Sequence, residues 1–179
     1  MGNAVVKDLY SSNVDEVMIA DINKDAADKL ASELRSAGSS STKISVIKLD
    51  INDEKALIDA AKDSDIVINT VGPFYKYEKI VIGALMKVER DYVDINDDYD
   101  ATLEILKLSD AIRGSGSRVL IGMGWTPGIT NVCARAGYEY LDETDEINIA
   151  WIGSATDARG LAVILHTFHA VTGNVPMYL

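Results

Sequence analysis

Short β-branched apolar runs alternate with segments of helical period along nearly the whole chain, and this alternation restricts the fold more than any other feature. Residues 2–12 place Ala4, Val5, Val6 and Leu9 at helical spacing, so the chain is expected to open with a short helix. Residues 16–20 (EVMIA) form a compact buried-strand pattern that ends at Asp21. Residues 24–37 carry Ala27, Leu30, Ala31 and Leu34 on one face, and Gly38 with the serines behind it supplies the stop. The pattern then repeats: strands are expected at 44–49, 65–71, 92–95 and 118–123, and helices at 53–62, 79–88, 101–113 and 129–141. A further strand at 146–152 (EINIAWI) and a helix at 161–171 follow an acidic linker. Strands alternating with helices argue for an α/β fold with a parallel sheet covered on both faces. Residues 1–141 read as one such domain, and 142–179 as the beginning of a second, α+β domain.

The charge balance narrows the partners. With 28 Asp and Glu against 17 Lys and Arg the formal net charge is -11, which repels a phosphate backbone over most of the surface, so no nucleic acid is expected. A nucleotide cofactor is a different matter, because backbone N–H groups at a helix N-terminus hold such ligands without a basic surface. No apolar run reaches the roughly 18 residues that a membrane span needs, and no basic segment followed by an apolar stretch opens the chain. Together with a single cysteine, Cys133, these features lead to an expectation of a cytoplasmic protein.

In dinucleotide-binding βαβ units a glycine-rich turn presents a helix N-terminus to the pyrophosphate, and an acidic residue about 20 positions on binds the adenosine ribose. Gly2 before an apolar helix and Asp21 at a strand end reproduce that distance. The strand and the two earlier glycines of such a loop have no counterpart in the sequence as written. The expected architecture is therefore a Rossmann-type doubly wound parallel sheet lacking its first strand, with two strand edges left open. The alternative for Asp21 is a strand-end turn residue that caps the next helix. A carboxylate on the ribose hydroxyls repels a 2′-phosphate, so NAD is favoured, while Lys24 leaves NADP possible.

Two longer motifs carry a resemblance. At residues 65–74 (DIVINTVGPF) and 119–131 (VLIGMGWTPGITN), with Asp91-Tyr92-Val93-Asp94 between them, the sequence resembles the saccharopine dehydrogenase and lysine dehydrogenase family. The resemblance spans essentially residues 2–179 and implies a pyridine-nucleotide oxidoreductase acting at the carbon that bears an amino acid's nitrogen. It places Gly2 at the pyrophosphate, Asp21 at the ribose, and Asp50 and Ile51 beside the adenine. Val71, Gly72, Pro73 and Phe74 are placed along the inner ribose and nicotinamide. Gly72 suits a close backbone approach there and Pro73 stops the strand, although an ordinary strand exit gives the same letters. Residues 124–128, with Trp125 as a wall and Thr126 beside it, are placed at the substrate, with Asn131 holding the turn. Trp125 reads equally well as a core or interface aromatic.

No general base stands out. Tyr92 and Asp94 are the catalytic candidates by position, Asp94 as a contact for a substrate amine. Among the neighbouring acids, Asp97 and Asp98 are expected to cap the helix near Ala101 rather than bind metal. His166 and His169 share a helix face but present no third ligand, so no metal is expected. The expected partners are a small amino-acid substrate and, in the full-length form, a second copy in a homodimer. The competing readings are a truncated chain without catalysis and a module that binds nucleotide without turnover.

Overall fold

Residues 1–48 build a strand–helix–strand unit preceded by a helix. The computed structural model describes residues 1–12, 14–38, 40–150, 152 and 160–172. Helix α1 (Gly2–Ser11) leads to strand β1 (Glu16–Asp21), helix α2 (Lys24–Ala37) and strand β2 (Lys43–Lys48), with β1 and β2 paired in parallel from Glu16 beside Lys43 to Asp21 beside Lys48. Helix α2 has the bounds its pattern predicts because both ends are set locally. Asn23 accepts a hydrogen bond from the Ala26 N–H at 3.1 Å, and Gly38 takes the left-handed conformation (φ 61°) that ends the helix. The alternating residues of β1 meet the apolar face of α2, giving a core of Val17, Ile19, Ala27, Leu30 and Ala31 with Val6, Leu9, Ile44 and Val46 around it. Each large aliphatic buried in this way contributes roughly 2 kcal/mol.

Helix α3 (Glu54–Lys62) contains the division between two compact units, Met1–Asp59 and Ala60–Leu179. The second unit holds a three-stranded parallel sheet in the order β3 (Ile66–Asn69), β4 (Asp91–Asp94), β5 (Val119–Leu120). Helices α4 (Phe74–Met86), α5 (Tyr99–Leu106), α6 (Ser109–Ser115), α7 (Ile129–Tyr140) and α8 (Leu161–Thr172) complete it. Helix α4 packs on α5 and β4, burying Phe74, Val81, Ile82 and Leu85 together with Tyr92 and Ile105. At the start of β4, Asp91 accepts from the Arg118 backbone N–H at 2.9 Å and from its guanidinium, which fixes the β4–β5 pairing. The fold is thus the expected α/β class with parallel strands, its ladders forming a two-stranded and a three-stranded sheet.

Several bounds differ from the sequence pattern for identifiable reasons. Helix α4 begins at Phe74, five residues before the expected start, because Pro73 stands at its N-cap and Asp98 accepts from the Tyr75 N–H at 3.1 Å. The helix expected over 101–113 is two helices, α5 and α6, separated at Lys107 and Leu108, where the Ser109 hydroxyl donates to the Leu106 carbonyl. The strand expected over 118–123 keeps a ladder only at Val119 and Leu120, since the next backbone donors, from Gly122 and Met123, turn to Asp94. The strand expected over 146–152 is absent from its described residues. No neighbouring strand pairs with them, and Ile147 and Ile149 are exposed. Trp151 and residues 173–178 of the resemblance lie outside the described residues. Among the described residues, no helix is long and apolar enough to cross a membrane.

Candidate functional site

A common device ends the strands at their carboxyl tips: an Asp or Asn side chain accepts the N–H two residues on. Asp21 accepts from Asn23 at 2.8 Å, Asp50 from Asn52 at 2.9 Å, Asn69 from Val71 at 2.9 Å and Asp94 from Asn96 at 3.0 Å. Such turns let the chain leave a parallel strand without orphaning a donor. In each unit they place polar side chains at the carboxyl ends of its own strands, where ligands of open α/β sheets bind.

In the first unit these groups face water. Asp21 and Asp50 are exposed, and the Leu49 N–H donates to the Asp21 carbonyl at 3.1 Å, so Asp21 and Asp50-Ile51 follow the same, carboxyl end of the β1–β2 pair. Backbone and side-chain hydrogen bonds from Asn52 hold the Asp50 carboxyl below its ordinary range. Asp21 forms its turn while Asn23 caps α2, so the capping role considered for Asp21 belongs to Asn23. Gly2 is the first residue of α1, a helix with no acidic side chain in its first turn. Lys24 is paired with Asp28 at 2.6 Å.

In the second unit the corresponding groups are sealed. Tyr92 is 1% exposed and Asp94 0%. The Tyr92 hydroxyl donates to Asp94 Oδ2 at 2.7 Å and accepts from Asn69 Nδ2 at 2.9 Å. Asp94 Oδ1 accepts from the backbone N–H groups of Asn96 (3.0 Å) and Gly122 (2.8 Å). One carboxylate therefore ties the exits of β3, β4 and β5 together. Burial, above all, and the facing Asp94 keep the Tyr92 hydroxyl protonated. Glu78 of α4 is hydrogen bonded to Asp94 and its oxygens accept from Asn96 Nδ2 at 3.1 and 3.2 Å. Burial first, then the hydrogen bond and charge of Asp94, push Glu78 up to about 9, so it is a neutral acid at pH 7.

The remaining motif residues surround this network. Val71 is exposed, Gly72 is half-buried, and Pro73 and Phe74 are buried at the start of α4. A Cβ on Gly72 would lie 3.3 Å from Ala162 Cβ, so the close approach that this glycine permits is, in this structure, to helix α8. After β5, Gly128 (φ 121°) closes a turn so tight that a Cβ there would stand 2.2 Å from the Gly124 carbonyl oxygen. Asn131 Oδ1 accepts from the Gly128 N–H at 3.0 Å, the turn-holding role that the motif implies. Trp125 projects from the turn at 70% exposure, with Thr126 exposed beside it. Asp98 occupies the N-cap position of α5, but its side chain makes no cap bond there and serves Tyr75 and His166 instead.

Known proteins share this arrangement of parallel strands and helices. The saccharopine dehydrogenase NADP binding domain model matches residues 1–120. The chain belongs to that family. The apo saccharopine dehydrogenase (L-Glu forming) of Saccharomyces cerevisiae superposes with a TM-score of 0.64 at 24% identity, over 77% of this chain and 28% of that one. This likeness supports the Rossmann-type fold, and the matched part covers 28% of that enzyme's chain. A shikimate 5-dehydrogenase from Listeria monocytogenes, in complex with shikimate and NAD, aligns more loosely (TM-score 0.49, 21% identity, 75% of this chain and 45% of that one). The chain is accordingly a Rossmann-type domain of a dehydrogenase family whose domain is described as NADP-binding.

Within this saccharopine-dehydrogenase-type domain, two residues at the heart of the second unit escaped the sequence reading. Glu78 falls on the apolar stripe of α4 formed by Phe74, Val81, Ile82 and Leu85, and an acid on such a stripe is the signal that could have identified it. Asn96 Oδ1 accepts the Asp98 N–H two residues on at 2.7 Å, a local turn, but its amide donors go to Glu78 and Thr102 on two different helices, which no local pattern records.

Proposed function

We propose that the chain is the nucleotide-binding part of an NAD(P)-dependent oxidoreductase that transfers hydride at the carbon–nitrogen bond of an amino acid, with saccharopine or lysine as the substrates to try first. The observation that carries this reading is the family match over residues 1–120, to which the exposed Asp21 and Asp50 at the carboxyl end of β1 and β2 add a place for the adenosine half. In this reading Gly2 lies at the pyrophosphate, Asp21 at the ribose and Asp50-Ile51 at the adenine. Val71, Gly72, Pro73 and Phe74 line the nicotinamide side, and Trp125 and Thr126 meet the substrate. The cofactor supplies the hydride chemistry. Tyr92 and Asp94 act by holding the strand exits in place, their polar atoms being committed to one another and to the backbone. The nucleotide-binding domain extends over 1–141, a substrate domain begins at 142, and the full-length protein works in the cytoplasm as a homodimer.

The family description favours NADP. NAD is the second reading, on one specific observation: Asp21 presents a carboxylate at the end of β1, while Lys24, the cation nearest in sequence, is paired with Asp28. Titrating NADPH and NADH against the protein, followed by cofactor fluorescence, separates the two. Asp21→Ser should move the preference toward NADPH by about tenfold, or about 1.4 kcal/mol. Reduction of NADP or NAD in the presence of saccharopine or lysine tests the substrate; no reduction with either removes it. Equal affinity of wild type and Asp21→Ser for both cofactors removes the ribose role of Asp21.

A further inference from the structure

Helix α8 brings a histidine onto the acidic segment between β4 and α5. His166 Nδ1 lies 2.8 Å from Asp98 Oδ1, and His166 Nε2 lies 3.2 Å from Asp97 Oδ2. One turn along, His169 Nε2 lies 3.0 Å from Asp100 Oδ2 while its ring stacks on Tyr75. A neutral imidazole has a single N–H, so of two carboxylates facing its two nitrogens one must meet a lone pair. The arrangement is completed by one further positive charge. A second proton on the His166 ring supplies it, and so does a bound cation; helix α8 carries no Lys or Arg.

We propose that Asp97, Asp98 and His166 form a site for a divalent transition cation of the zinc type. One donor atom from each residue can be taken such that all three lie within 4.8 Å of one another, although Asp98 and His166 are 68 residues apart in the chain. Zinc with oxygen and nitrogen ligands at roughly 2.0–2.2 Å separates its donors by about 3.3 Å, so side-chain rotation closes the set. The carboxylates differ in freedom in the way that closure requires. Asp98 is 1% exposed and anchored through Oδ2 to the Tyr75 N–H, whereas Asp97 is 42% exposed and its carboxylate meets His166 Nε2 at 3.2 Å. Two carboxylates and an imidazole suit zinc better than calcium, which takes oxygen donors, and the lone Cys133 supplies no competing thiolate set. With three protein donors, a fourth position remains for water, and the ion would pin α8 to the β4–α5 loop. None of this depends on the nucleotide reading.

The test is calorimetric titration of ZnCl2 into the purified chain at pH 7.5, with Co2+ as a spectroscopic substitute. One equivalent should bind, with visible Co2+ absorption typical of four-coordinate nitrogen and oxygen ligation. His166→Asn and Asp97→Asn, both at partly exposed positions that leave the Asp98–Tyr75 bond intact, should each weaken binding at least tenfold, with circular dichroism unchanged. Asp110→Asn, at an exposed carboxylate paired with Arg113, should leave it unchanged. No binding, or binding that His166→Asn leaves unaltered, overturns the proposal. So does hydrogen-exchange protection of the α8 amides that added zinc leaves unchanged.

Discussion

The two compact units end their parallel strands with the same turn and use the side chain that makes it in opposite ways. In Met1–Asp59 the core is aliphatic, built on Val17, Ile19 and Leu30, and the turn-forming carboxylates of Asp21 and Asp50 stay in water. In Ala60–Leu179 the same position on β4 is Asp94, sealed with Tyr92, Asn96 and Glu78. An exposed carboxylate makes a turn and retains acceptor capacity for a ligand, whereas a buried one spends that capacity on the protein itself. One unit is held by apolar burial and leaves its acids available. The other is held in part by polar satisfaction, which makes it the more vulnerable to losing a single oxygen.

The largest effect expected from this contrast is at Asp94. Asp94→Ala leaves the Tyr92 hydroxyl and the N–H groups of Asn96 and Gly122 without their acceptor in a dry interior. At roughly 1–3 kcal/mol for each orphaned group, a loss of about 4 kcal/mol or more follows, measured by urea denaturation. A loss below about 1 kcal/mol would mean that water reaches the network and that the contrast between the units is false. Next comes Leu30→Ala in the first unit, where the leucine lies in the core against Val17 and Ile19. A loss of about 3 kcal/mol is expected, with reduced hydrogen-exchange protection of the β1 and β2 amides.

The same contrast explains what the sequence disclosed. Helix α2 was legible to the residue because its apolar face and its stop at Gly38 are local, although its cap proved to be Asn23, and β1 because its apolar run ends on its own turn residue, Asp21. The start of α4 was not, since the acceptor for the Tyr75 N–H is Asp98, 23 residues on. Strand β5 is short for a similar reason: a side chain from β4, Asp94, claims the Gly122 donor, and no period or propensity within residues 118–123 records that. Of the candidate site, the turn at Gly124–Gly128 and its Asn131 partner were readable because they form one local motif. The environment of Tyr92 and Asp94 was not, because it is completed by Glu78 and Asn96, residues distant in the chain or bound to other elements, and only the place of Glu78 on the apolar stripe of α4 hints at it.

A smaller effect, with a sign fixed by linkage, belongs to Glu78. Its carboxyl is raised from 4.5 to about 9, so between those values the folded chain holds a proton that the unfolded chain has released. The contribution of Glu78 is therefore complete below about pH 4.5, falls as pH rises toward 9, and is flat beyond. Within the window the slope approaches about 1.4 kcal/mol per pH unit. Glu78→Gln keeps a donor toward Asp94 and has no proton to lose, so the stability of wild type relative to this variant should decline between pH 6 and 8 in denaturation experiments. A difference independent of pH would show that Glu78 is ionised in the fold, and Asp94 would then need another donor on that side.

The smallest effect tests the other half of the comparison. Asn23 caps α2 through its side chain, and its backbone N–H completes the Asp21 turn. Asn23→Ala removes the first bond and leaves the second, so the helix start loses one partner in water and the strand exit keeps its shape. A cost of about 1 kcal/mol is expected, with Asn23→Asp restoring the cap and adding a favourable charge at the helix N-terminus. Thermal melts of the two variants measure both terms. Should Asn23→Ala instead destabilise as much as Leu30→Ala, the strand-end turns of the first unit would be structural supports like those of the second. The exposed carboxylates of Asp21 and Asp50 could then no longer be regarded as free for a ligand.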